Sequence, residues 1–224
     1  MLTENLLNKT MANLDHCRHT LSAVRGADSS CQFFVGRTQV ICALYGPTED
    51  KQRQSDKGFM SFDVTIRSAV GLSVSSDKFL EVALIAMAKR LLDCSAHPLL
   101  QLVVVIDLIS DDGSLVAAMF NSFVLAAADL GLPLRCTALA VACASGLDLV
   151  EVFPNKKSES EALLTATQLV SITTGKVLYS IQSRPCFYSL LNVMVGVMRQ
   201  AVDALRCSIL AEFSTVQVTQ PASG

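Results

Sequence analysis

The sequence predicts an α+β fold in which mixed β-sheets carry helices packed against them, in the order β-β-β-α-β-α-β-β-β-α. Three observations predict it. Residues 30–45 read as a hairpin about Gly36-Arg37, and residues 62–66 place apolar side chains at the two-residue spacing of a half-buried strand. Residues 102–108 (LVVVIDL) are a nearly unbroken β-branched run that passes through Asp-Gly into an apolar helix, and residues 163–182 return to strand-like alternation.

In chain order, residues 30–35 and 38–45 flank Gly36-Arg37, a two-residue connection that reads as a hairpin. The charged stretch 49–57 reads as an exposed loop. Phe62, Val64 and Ile66 then alternate with Asp63, Thr65 and Arg67, so one face of that strand is buried and the other wet. Residues 78–94 follow as a helix. Its apolar residues, Phe79, Leu80, Val82, Leu84, Ile85, Met87 and Leu91, cover most of the circumference, which predicts cover on more than one side.

Strand 99–108, helix 114–130 and strand 135–144 form the central unit. Ser114 stands where it can cap the helix, and Gly131-Leu132-Pro133 ends it with a C-terminal glycine and a breaker. Leu115, Val116, Met119, Phe120, Phe123, Val124 and Leu125 give that helix a broad apolar face. A second sheet segment is expected at 163–170 and 176–182, and a closing helix at 188–213. No repeat or Pro/Gly-rich linker divides the chain, so residues 17–213 read as one domain between an N-terminal extension (1–16) and a flexible tail (214–224).

Of 224 residues, 51% are hydrophobic and only 17% charged, an apolar excess typical of subunits whose interfaces resemble a core cut in half. It is no membrane signal: the longest uncharged runs fall short of the roughly 20 residues a spanning helix needs, and Asn121 or Asn192 interrupts them. The N-terminus has acidic residues and no apolar stretch like that of a signal peptide, so an intracellular, soluble protein is expected. The eight cysteines are scattered without a Cys-x-x-Cys pair and read as reduced core residues. His16 and His19 could share a helix face, but a solvated segment explains them better, since zinc needs three or four ligands. Neither metal nor thiol catalysis is expected. With a net charge of -2 and no basic stripe, the chain alone should hold RNA weakly.

The motif that points to chemistry is Asp111-Asp112-Gly113-Ser114-Leu115, between the apolar strand and the central helix. A helix N-terminus after a strand offers backbone N–H groups to an anion. The same residues equally make a plain turn and cap, the commoner use of such a sequence.

Four stretches carry a family resemblance. Residues 30–40, with Arg37, Thr38 and Val40, and Tyr45-Gly46-Pro47 after them, look like a "Gly-Ser-Ala … Gly-x-Thr-x-Val" hairpin. Residues 108–133 resemble an "Asp-Gly-Gly-Thr-Arg … Ala-Leu-x-Asp-Ala-Gly-Ile-Pro" segment, residues 154–162 an "Asp-Pro-Thr … Glu-Glu" segment, and the C-terminal helix falls where the family has one. Together they resemble the ribonuclease PH-like family, and within it the non-catalytic ring subunits of the eukaryotic RNA exosome, closest to the short subunit without extra domains. The resemblance spans residues 17–212.

It implies a two-layer fold of the ribosomal-protein-S5 type with mixed sheets and a left-handed βαβ crossover, against the general right-handed rule. It also implies partners: other ribonuclease PH-like exosome subunits in a hetero-oligomeric ring, KH and OB-fold cap subunits, and RNA through the assembled complex. No cofactor and no membrane are implied, and the location would be nucleus and nucleolus, also cytoplasm.

Active members of the family cleave RNA from the 3′ end with inorganic phosphate as nucleophile, which needs cations on phosphate and a carboxylate as general acid. Against that pattern, the arginine ending the phosphate loop is Leu115, an anion-binding arginine aligns with Leu80, Val82 and Ile85, and Phe153 replaces the acidic residue before the later proline. The chain is therefore expected to have no catalytic residues and no phosphorolytic activity. Asp112, Gly113 and Ser114 would be a relic phosphate loop, Asn121 a hydrogen-bonded core residue, and Arg37 and Lys57 contacts on an RNA path in the ring. The alternatives are a phosphorolytic 3′-to-5′ exoribonuclease, or a hydrolytic one, with a site shared with a partner or a divergent one built on Asp111, Asp112, Glu159 and Glu161, and a small-molecule kinase or binding protein that shares only the fold.

Overall fold

The computed structural model describes residues 17–49, 59–68, 74–145 and 150–183. A five-stranded sheet runs in the order β1-β2-β3-β5-β4, from β1 (Cys17–Leu21), β2 (Ser29–Val35), β3 (Thr38–Glu49), β4 (Ser61–Ser68) and β5 (Leu100–Ser110). All its pairings are antiparallel except β4 with β5, which are parallel and joined through helix α1 (Val74–Leu91). The second sheet is antiparallel throughout, in the order β7-β6-β8-β9, from β6 (Ala138–Ser145), β7 (Val150–Val152), β8 (Leu164–Ser171) and β9 (Val177–Gln182). Helix α2 (Leu115–Asp129) links the sheets, and a short helix α3 (Lys156–Glu161) lies between β7 and β8.

The mixed-sheet α+β architecture is the expected one, and the Gly36-Arg37 hairpin forms with Val35 opposite Thr38. Both long helices touch both sheets: α1 packs on β4 and β9, and α2 on β1, β2 and β3 on one side and on β6 and β8 on the other. This is why α2 is buried all round rather than on one face, with every residue from Ala117 to Ala127 out of solvent. One hydrophobic core results, with Phe33, Leu44, Met87, Leu102, Ile106, Phe120 and Phe123 wholly buried.

Several local expectations change. Helix α1 starts four residues before the expected Lys78 and stops at Leu91, short of Cys94. It stops because residues 91–94 leave the helix to pair with the start of the second sheet: Arg135 donates its N–H to the Leu91 carbonyl at 2.9 Å, and Asp93 donates to the Pro133 carbonyl at 2.8 Å. The same pairing delays β6 to Ala138 instead of residue 135. Nor is α1 covered over most of its circumference, because Phe79 and Val82 are 57% and 66% exposed. His19 lies on the edge strand β1, not on a helix, and Glu49 ends β3 rather than opening a loop. The rest of the charged stretch, His16 and the closing helix at 188–213 lie outside the described residues.

Of the six cysteines among the described residues, all are free and all but Cys136 are buried. Burial pushes the Cys17 and Cys31 thiols up to about 12, and Cys143 higher still. Such thiols stay protonated at neutral pH while they are buried, in keeping with core residues. Among the described residues no helix is long and apolar enough to cross a membrane, and no cluster of metal-ligating side chains occurs.

Candidate functional site

The loop that joins β5 to α2 meets the β2–β3 turn on one side and the β7–α3 connection on the other. Its sequence required tight backbone contact, and Gly113 shows why: at φ +105° a Cβ there would lie 2.6 Å from the Lys156 nitrogen and as close to Asn155. The loop is thus pressed backbone to backbone against a segment 40 residues further on. The Lys156 N–H completes that contact by donating to the Asp112 carbonyl at 2.6 Å.

A phosphate loop presents free amides, and those of Asp112, Gly113 and Ser114 are taken. The Asp112 N–H donates to Thr38 Oγ1 at 2.9 Å, while the Thr38 hydroxyl donates to the Gly113 carbonyl at 2.7 Å. The Gly113 N–H donates to Asp111 Oδ1 at 3.1 Å, and the Ser114 N–H donates to Glu159 Oε1 at 2.7 Å. Two carboxylates of the chain itself therefore hold the donors that an anion would need. Lys156 Nζ bonds Asp111 Oδ2 at 2.8 Å and balances part of that charge, though at 58% exposure solvent screens the pair and it adds little to stability.

Ser114 does not cap α2 as expected. It adopts a left-handed conformation (φ 56°, ψ 26°) without a side-chain cap, and its hydroxyl instead donates to the Pro154 carbonyl at 2.8 Å. The true side-chain cap is on α3, where Asn155 Oδ1 accepts from the Ser158 N–H at 2.8 Å. Phe153 also has positive φ (50°), with its ring buried in the core and its N–H on the Ala142 carbonyl at 2.9 Å.

Two cavities flank the loop. One of about 140 Å³ is lined by Arg37, Asp112, Gly113, Glu151 and Phe153, and Arg37 is exposed there in the hairpin turn. The other, about 390 Å³, brings Asp111, Ser114 and Glu159 together with Phe79, Leu115 and Thr167. Among the described residues no arginine or lysine lines this second cavity. Of the positions aligned with an anion-binding arginine, Leu80 is buried, Ile85 half-buried and Val82 exposed. Lys57 lies outside the described residues. Asn121 is fully buried and bonds the Ala140 backbone twice, as a core residue should. The parts that sequence reading missed are Thr38 and Lys156; a threonine opening a strand and a lysine in a polar helix carry no local signal of a partner 75 or 45 residues away.

A model of the 3′ exoribonuclease family, domain 1 (RNase PH), matches residues 17–133, more than half of the chain. The chain belongs to this family. Among its relatives, a Caenorhabditis elegans protein provisionally named exosome complex component RRP41 is 26% identical over 95% of this chain and 93% of its own. The Schizosaccharomyces pombe exosome complex component rrp46 is 26% identical over 71% of this chain and 67% of its own. The RNase PH fold is shared with the crystal structure of rice (Oryza sativa) Rrp46, at a TM-score of 0.78 and 21% identity over 85% of this chain and 90% of that one. It is also shared with the Archaeoglobus fulgidus exosome with RNA bound to the active site, at 0.69 and 17% over 93% and 97%.

Burial, and less so repulsion from Asp111, raises the Glu159 carboxyl above its usual range against the opposing pull of the Ser114 N–H and Lys156. A carboxyl whose pKa is raised on folding holds its proton longer in the folded state, so stability falls as pH climbs from about 4.5, the unfolded value, through the folded one. Glu159→Gln keeps an acceptor for Ser114 and removes that slope. Urea unfolding at a series of pH values should show the two chains converging in acid and the variant equal or more stable at neutral pH; identical slopes would refute the assignment.

Proposed function

We propose that the chain is a catalytically silent ring subunit of an RNA exosome core, supporting 3′-to-5′ RNA processing and degradation carried out by the complex. The observation that carries the silent part is the occupied loop: the Asp112, Gly113 and Ser114 amides already serve Thr38, Asp111 and Glu159. Beside it, Leu115 and Phe153 supply neither cation nor proton. The ring part rests on relatives named as exosome components along most of this chain and on its apolar excess.

In this reading its neighbours are other RNase PH-like subunits, with KH and OB-fold cap subunits and RNA reached through the assembly. It works in nucleus and nucleolus and also in the cytoplasm. The test has two arms. The tagged chain, recovered from its own cells, should bring RNase PH-like partners with it. The purified chain given RNA and inorganic phosphate should release no nucleoside diphosphates, while release abolished by Glu159→Ala or Asp111→Ala would overturn the silent reading and establish a divergent site.

A further inference from the structure

Outside the loop, the described residues hold one pair of nucleophilic side chains brought together by the fold rather than by the sequence. Cys31 on β2 and Cys42 on β3 are direct partners across the hairpin, on the same face and both 0% exposed. Directly opposed residues in an antiparallel pair have Cα atoms about 4.5 or 5.5 Å apart, and both spacings fall inside the roughly 4.4–6.8 Å window of a disulfide. Both thiols are free.

We propose that Cys31 and Cys42 form a redox-responsive cross-strand dithiol, oxidised to a disulfide by a peroxide. The order of events follows from topology. Among the described residues β1 is a five-residue edge strand paired only with β2, so its opening uncovers Cys31 first; Cys42 lies one strand further in, on β3 between β2 and β5. The Cys31 thiolate attacks the peroxide O–O bond, forming a sulfenic acid and releasing hydroxide, or the alcohol where the peroxide is organic. The Cys42 thiolate then attacks the Cys31 sulfur, forms the S–S bond and expels hydroxide. Two thiols and one hydrogen peroxide thus give one disulfide and two waters. Burial holds both thiols protonated in the closed sheet, so the reaction runs at the rate at which β1 opens. The closed bond staples the hairpin that carries Thr38, and with it the loop at Gly113.

Peroxide treatment of the full chain, followed by alkylation in denaturant and peptide mass spectrometry, tests this. The expected product is a linked Cys31–Cys42 peptide pair, two hydrogen masses lighter than the thiols and restored by dithiothreitol. Low urea, below the unfolding transition, should speed its formation. In Cys42→Ser, the Cys31 sulfenic acid should persist and be trapped by dimedone. The proposal is overturned if Cys31 and Cys42 stay alkylatable throughout the urea series below the transition, if either links to another cysteine, or if the bond forms only in the unfolded chain.

Discussion

Replacing Asn121 with leucine is expected to lower the free energy of unfolding by roughly 2–5 kcal/mol, since two buried backbone groups lose their partner at about 1–3 kcal/mol each. Asn121 donates from Nδ2 to the Ala140 carbonyl at 2.8 Å and accepts the Ala140 N–H on Oδ1 at 2.7 Å. The need is topological. β7 pairs with β6 only at Cys143 to Ser145, so on that side Ala140 has no strand beside it, and the Asn121 amide takes the place of one. Leucine fills similar volume, so the loss isolates the hydrogen bonds from packing. Urea titrations with an unchanged slope and a lower midpoint would bear this out. A loss below about 1 kcal/mol would mean that water replaces the amide.

Phe120→Ala is expected to cost about 3–5 kcal/mol, the range for deleting a buried ring. Phe120 is fully buried in α2, and its edge meets Tyr179 of β9 with ring centroids 5.8 Å apart. Arg90 of α1 also lies over Tyr179, its guanidinium carbon 5.5 Å from the ring centre and Nη1 on the Leu178 carbonyl at 2.7 Å. Arg90 is exposed, and an exposed cation over a ring contributes only about 0.5–1 kcal/mol. Comparing Phe120→Ala with Arg90→Ala by thermal unfolding should therefore separate the two by severalfold. Equal losses would show that the cation, not the ring, ties the helices to β9.

How much of this could be read beforehand varies with the range of the forces involved. The hairpin, β5, α2 and the β8–β9 pair are legible because each announces itself by local periodicity or a turn signal. β1 is not: its five residues are half exposed, and Arg18 and Thr20 dilute the apolar pattern. β7 has three residues, and α3 has no apolar stripe at all. In the site, the departures from the family pattern that the resemblance implies, Leu115 for an arginine and Phe153 for an acidic residue, were visible in the sequence itself. The closed amides were not, because the partners of Ser114, at Pro154 and Glu159, lie 40 and 45 residues away. A serine before an apolar helix is a good cap by every local criterion, and a distant carbonyl overrode it.

The burial of α2 between two sheets bears on where this chain could be cut. The family match ends at residue 133, just after that helix, and a fragment stopped there would keep β1 to β5 and one wall of α2's surroundings. The other wall, β6 and β8, would be gone, leaving Asn121 without its partner and Phe120 against water. Such a fragment should clump rather than fold, because its most apolar helix would become its stickiest surface. A boundary drawn by resemblance between sequences is here a seam that the folding reaction cannot open.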